Sequence, residues 1–299
     1  MNIKHIFMAA SAVLALTACS SDDKAPRYSD TPIRLQTSIG QMTTRSQQGL
    51  QDERFKVNTT FDVQITSNDG LTEYNQMTYK VTSTQGALAP SNGVYPYYPI
   101  NGSGVKIRAI YPTGYMNESS FTVQSTQTDD DSYLKSDLMF ATADVPAIQT
   151  DPVDLEFYHK LTKICINLTP DDAKVNLAGA QVKLLKLYTS VEYNPITGEI
   201  GNVTGSKDDM LIQMGGEEST VECAAVIVPQ TFQGGYLIEI RLANNDILNY
   251  RTMQTIPFES GKKYIYNINV RESGITVSST VKPWLPTDDI EGPTRLPAN

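Results

Sequence analysis

The sequence is poor in the residues that do chemistry. Of its 299 residues only two are histidines and three are cysteines, and loss of the N-terminal segment described below would leave His159 as the single histidine. A metal site built on several histidines is thereby excluded, and neither Cys165 nor Cys223 lies in a CxxC pair. No GxSxG, HExxH, GxGxxG or phosphate-loop pattern occurs. Carboxylates are plentiful, but they sit in turns and linkers such as Asp129 to Ser132 (DDDS) and Lys207 to Asp209 (KDD), where solvation accounts for them. A glycosidase pair can come from anywhere in a fold, and nothing here points to one. The expectation is a chain without catalytic residues, metal or cofactor. Basic charge is also scarce: 24 Lys and Arg face 33 Asp and Glu, for a net charge of −9. Nucleic acid and anionic lipid are therefore disfavoured as partners of the body. A helical period is nearly missing as well, so no helix longer than a few turns is expected.

What is present begins at the N-terminus. Residues 1–18 have a basic head (Lys4, His5) and an apolar run from Ile6 to Leu16, about half of what a membrane-spanning helix needs. That is an export signal. The ending Leu16-Thr17-Ala18-Cys19 looks like a bacterial lipobox, in which Cys19 is freed at its amino side and acylated. Residues 19–32, SSDDKAPRYSDTP after the cysteine, are too poor in apolar side chains to fold alone and read as an acidic, disordered tether. From Cys19 to Ile33 it would reach roughly 45 to 50 Å at full extension.

The next stretch, IRLQTSIGQMTTRS, opens as a half-buried strand. Ile33, Leu35, Thr37 and Ile39 alternate with Arg34, Gln36 and Ser38. Arg45 and Ser46 follow in a small, polar setting that suits a loop open to a trypsin-like protease. Thereafter short β-branched and aromatic runs such as FDVQITS, VKIRAIY and YLIEIRLAN alternate with turn residues, the pattern of an all-β sandwich. In VDLEFYHKLTKICINL, Val153, Leu155 and Phe157 share one parity, whereas Ile164, Ile166 and Leu168 have the other. Such a phase change fits a chain leaving one sheet for the next, and it divides the molecule into residues 33–160 and 161–299. The second of these regions ends in a proline-rich tail. Spacing leaves open whether Cys165 and Cys223 are bridged or are two buried thiols. Tyr95, Tyr97 and Tyr98 stand between prolines; they suit a strand edge, or together with Trp284 a sugar-stacking platform. His159 reads as a hydrogen-bonded structural residue.

TACSSDD, IRLQTSIGQMTTRS, SDLMFATA, LEFYHKLTKICINL, YNPITGEI, VIVPQTF, ESGKKYIYNINV and GITVSSTVKPW occur in an order and spacing that cover nearly the whole chain after the tether. The series resembles the fimbrillin-like lipoproteins of Bacteroidetes, which include type V pilins. The resemblance implies two tandem transthyretin-like (Greek-key) β-sandwich domains, and an outer-membrane lipoprotein displayed at the cell surface or in a fimbrium. It also implies that an arginine-specific protease cuts after Arg45, that the strand 33–39 is lost with its lipid, and that a strand of another pilus subunit takes its place. GITVSSTV, with Ile275, Val277 and Val281 alternating, is the candidate donor. Pro283, Pro286, Pro293 and Pro297 make the tail itself a poor one. That departure points to a tip or accessory subunit rather than a stalk. The alternatives are an anchor subunit that keeps its lipid and a lipid-anchored monomer that binds a glycan or host ligand.

Overall fold

The computed structural model describes residues 28–39, 54–216, 219–284 and 294–295. The chain is all-β. Its first region carries β1 (Tyr28–Pro32), β2 (Leu35–Ile39), β3 (Thr60–Ser67), β4 (Glu73–Val81), β5 (Ala87–Pro90), β6 (Tyr97–Pro99) and β7 (Ser103–Tyr111). Then come β8 (Ser120–Thr122), the short helix α1 (Asp130–Lys135), β9 (Met139–Ala147) and β10 (Val153–His159). The second region carries β11 (Thr162–Pro170), β12 (Gln181–Tyr193), β13 (Ile200–Met214), β14 (Val221–Ile227), β15 (Gln230–Phe232) and β16 (Gly235–Arg241). It ends with β17 (Ile247–Thr252), β18 (Ile256–Phe258), β19 (Lys262–Arg271), β20 (Gly274–Pro283) and the short β21 (Thr294–Arg295).

In the first region a continuous ladder runs β10-β2-β5-β4-β3-β7-β9 and closes where β9 pairs with β10. Two separate open sheets are the simplest expectation from the strand pattern. The ladder instead has no break, because β10 binds β2 on one side and β9 on the other. Alternation puts Val153, Leu155, Phe157 and His159 of β10 inside, as period-2 sterics require. In the second region the sheets β14-β11-β19-β20-β21 and β13-β12-β16-β17, with β8 added on β12, bury their facing side chains in one cluster. Ile164, Ile166 and Ile268 come from one sheet, and Val182, Leu184 and Ile240 from the other.

The run 153–170 is therefore two strands in two sheets, with the break at Lys160 and Leu161. Packing is less simple than chain order. Met116, Phe121, Val123, Tyr133 and Leu138 precede β9, yet they are buried in the second core. The DDDS segment, expected as a turn, begins α1: Asp129 caps it by accepting from the Ser132 N–H at 2.8 Å. Tyr28–Pro32, expected as the end of the tether, forms β1 and pairs with β6. A cross-strand partner far along the chain supplies the order that local composition lacks.

Register gives the closed ladder two distinct ends. The end of β3, the start of β7, the end of β9 and the starts of β10 and β2 lie together, since Ser67 faces Val105, Ser103 faces Ala147 and Val153 faces Leu35. We call this the outer end. At the inner end β10 finishes in His159, and the chain passes directly into β11 and the second core.

Candidate functional site

β2 is the element on which the sequence-derived hypotheses converge. It is only five residues long, but it is inserted between two strands. On one side it runs parallel to β10 over five register pairs, Leu35 facing Val153 through Ile39 facing Phe157. On the other it runs antiparallel to β5, with Leu35 facing Leu88 and Gln36 facing Ala87. Further main-chain bonds extend this bracket. The Ile33 N–H donates to the Pro96 carbonyl, the Val153 N–H to the Arg34 carbonyl and the Thr37 N–H to the Gly86 carbonyl, each at 2.8 Å. Gly86 has φ +85°, and a Cβ there would meet the Thr37 carbonyl oxygen at 2.2 Å, so only glycine permits this approach.

The side chains of this strand plug the first core. Ile33, Leu35 and Ile39 are at most 2% exposed and Thr37 is 8% exposed. All four face inward, toward a core whose aromatic centre includes Phe55, Phe61 and Phe157, with ring centroids 4.6 to 5.1 Å apart. On the outward face the Ser38 hydroxyl donates to Asp154 Oδ2 at 3.0 Å. A cavity of about 260 Å³ opens beside the inner end of the strand, among Ile39, Arg54, Phe55, Thr84 and Asp154. Removal of β2 would therefore leave an apolar trench flanked by the unpaired edges of β5 and β10, which is chemically a receptor for one extended strand. The trench would select large apolar side chains at alternate positions.

Cys19, Arg45 and Ser46 lie outside the described residues. The candidate donor residues Ile275, Val277 and Val281 sit in β20, where they pack at the margin of the second core and face Val270, Ile268 and Tyr264 of β19. Trp284 follows that strand directly. It is buried, stacked on His159 with ring centroids 3.8 Å apart and planes 8° apart, with the Lys163 ammonium 5.7 Å from its ring. His159 Nδ1 is in turn 2.9 Å from Asp137 Oδ1. The histidine is a packing residue in a polar cluster, in keeping with its structural reading.

The sugar-stacking platform is corrected by burial. Tyr98 is wholly buried and Trp284 nearly so, because adjacent residues of β6 point to opposite faces and β20 carries its tryptophan into the junction between the cores. Tyr97 is exposed and Tyr95 half-buried, so the four rings form no common face. Cys165 and Cys223 lie on the paired strands β11 and β14 one register position apart and are not bridged. Burial pushes the Cys223 thiol pKa well up, which keeps it protonated. Among the described residues no group of three His, Cys, Asp or Glu side chains could hold a metal ion. No helix among them is long and apolar enough to cross a membrane.

Comparison with known proteins gives a consistent picture. A family model described as Fimbrillin-like matches residues 44–284. A candidate fimbrium subunit of Bacteroides uniformis, Fim1C, is 24% identical over 306 aligned residues, covering 96% of each chain. A candidate cell adhesion protein of Bacteroides uniformis has a solved structure similar to this one, with TM-score 0.67, 22% identity, and coverage of 85% of this chain and 98% of that one. A second, from Bacteroides ovatus, has TM-score 0.67 and 19% identity, covering 89% of this chain and all of that one. At these identities the two structures establish a shared fold.

Proposed function

The chain belongs to the fimbrillin-like family, and from that membership we infer that it is a fimbrial subunit of the bacterial cell surface whose first region gives up one strand and accepts another. Members of this family are structural proteins, not catalysts. The position of β2 carries the reading. It is the short strand between β5 and β10, its side chains fill the core, and it stands at the N-terminal end of a ladder whose other strands belong to one later stretch of chain. A cut between Arg45 and Ser46 would separate it from the body without severing any other strand of that ladder.

In this scheme Cys19 carries acyl chains during transit, and an arginine-specific protease releases residues up to Arg45. Because β1 and β2 both precede Arg45, the cut would release them together, and β1 would have to leave its pairing with β6. Refilling the pockets of Ile33, Leu35 and Ile39 is worth roughly 1.5 to 3 kcal/mol each before the ordering cost of the incoming strand. Main-chain bonds to β5 and β10 would set its register. The two cores correspond to two tandem transthyretin-like domains in this reading. The donor side is less well provided. β20 is held to β19 by ten register pairs and is locked at its end by buried Trp284. A tip or accessory subunit that accepts a strand without offering one fits this arrangement better than a stalk subunit.

N-terminal sequencing with intact mass, performed on protein recovered from the native cell surface, tests the scheme. A start at Ser46 without lipid is the expected result. A start at acylated Cys19 would overturn maturation at Arg45 and leave a lipid-retaining anchor subunit.

A further inference from the structure

The outer end of the first region is unusually apolar for a solvent-facing tip. Of thirteen large hydrophobic side chains that are exposed among the described residues, six lie there: Tyr28, Leu71, Val94, Tyr97, Ile100 and Ile148. Leu71 is 75% exposed, Val94 64% and Ile100 55%. They stand on different elements that are tied to one another. The Tyr28 and Tyr74 ring centroids are 5.8 Å apart, and the Tyr74 hydroxyl donates to the Tyr97 carbonyl at 3.2 Å. Asn101 Nδ2, beside Ile100, donates to Asp69 Oδ2 at 2.6 Å and so joins the Ile100 turn to the Leu71 turn. Ile148 follows directly on Ala147, which faces Ser103. Scattered single exposed apolar residues need no explanation, but a cluster on linked loop tips does.

Chain continuity identifies what covers it. Tyr28, the first of the described residues, lies inside this cluster and at the end of the first region remote from the second core. Cys19 lies nine residue steps earlier, a span of at most about 32 Å. An acyl chain at that cysteine would bring this end nearest a bilayer. Aliphatic loop tips with tyrosines beside them suit the boundary between headgroups and acyl chains, where an aromatic ring finds both an apolar and a wet side. Asp30, Asp69 and Asp151 rim the same end and are exposed. With exposed Glu73 set against Arg34 and Lys106 at the same end, the rim is net acidic, which disfavours anionic lipid and would bring like charges together in a second copy of this surface.

We propose that the outer end is a bilayer-contact surface, with Leu71, Val94, Tyr97 and Ile100 resting on neutral phospholipid while the chain is tethered. The proposal takes its tether from the acylation reading of Cys19, and its test supplies the tether chemically so that the two stand apart. The chain from Cys19 onward, carrying Cys165→Ala and Cys223→Ala, is coupled through Cys19 to maleimide-phosphatidylethanolamine in phosphatidylcholine vesicles with brominated acyl chains. Single substitutions Leu71→Trp, Ile100→Trp or Met253→Trp then report contact, Met253 being a 74% exposed side chain just after β17 in the second region. The only native tryptophan, Trp284, is buried near the inner end and serves as an unquenched reference. The expected result is a blue shift and loss of emission for Leu71→Trp and Ile100→Trp, with neither for Met253→Trp. Equal behaviour of all three overturns the proposal. So does a blue shift at Leu71→Trp and Ile100→Trp without vesicles that grows with protein concentration, since this would assign the surface to a second copy. Intact mass of the native protein separately decides whether cells acylate Cys19.

Discussion

β2 and β20 are the two strands that strand exchange would concern, and they are built in opposite ways. β2 has five residues, buried inward side chains and a partner on each side. β20 has ten residues, mostly half-buried, zipped along its whole length to β19 but, among the described residues, paired on its other side with β21 alone, over two pairs. Length and security are thus uncoupled. Pulling out the short strand leaves a shaped apolar trench with two hydrogen-bonding walls. Pulling out the long one shortens an edge and bares some of one core face. Under strand exchange the first would act as a receptor and the second would be only a loss, so the chain is better built to accept a strand than to donate one.

The largest expected effect comes from producing the chain from Ser46 onward. Removing the three apolar plugs forfeits roughly 4.5 to 9 kcal/mol of transfer free energy, comparable to the whole stability of an ordinary domain of about 5 to 15 kcal/mol. The unfolding transition of the first region should disappear while that of the second persists. A peptide with the sequence of Ile33 to Ile39 should restore it, and an unchanged transition without peptide would show that β2 is no plug.

Next is Trp284→Ala, with an expected cost of about 3 to 5 kcal/mol for deleting a buried aromatic side chain. Hydrogen exchange should accelerate in β20 and β19 and stay unchanged in β2. Acceleration in β2 would mean that the two regions unfold as one unit. A smaller and more local effect is expected from Gly86→Ala, about 1 to 3 kcal/mol for a side chain forced into left-handed backbone against the Thr37 carbonyl. Its signature is faster exchange of the Thr37 amide with β20 untouched.

The smallest effect concerns acid titration of the first region. Burial pushes the Asp62 carboxyl pKa up, against the hydrogen bond it accepts from the Gly114 N–H at 2.6 Å. The folded state therefore holds this proton more tightly than the unfolded chain. Its contribution to stability is complete below the ordinary carboxylate range and is lost as pH rises through the raised value. Asp62→Asn should flatten the mildly acidic limb of the first region's stability profile and leave that of the second unchanged.

The site is unevenly legible in the sequence. Ile33, Leu35, Thr37 and Ile39 can be assigned to one buried face because alternation is a local property of extended backbone. Tyr98 reads there as a candidate ligand residue because neighbouring tyrosines look alike, while β6 turns one outward and the next inward. Gly86, whose backbone receives β2, carries no signal in a single sequence beyond being a turn glycine. The order of Tyr28–Pro32 is invisible locally because its partner is β6.

By itself the sequence determined that the chain is a series of short half-buried strands, that residues 33–39 present one apolar face, and that a change of parity separates Phe157 from Ile164. Periodicity and turn chemistry act over a few residues, so these are readable without the fold. Only the tertiary structure decided that β2 stands between β5 and β10, that Trp284 closes on His159, and that six apolar side chains meet at the outer end of the first region. Which strands become neighbours is settled by contacts between residues far apart in the chain, where side-chain volumes and main-chain partners are matched together and no local pattern records the outcome.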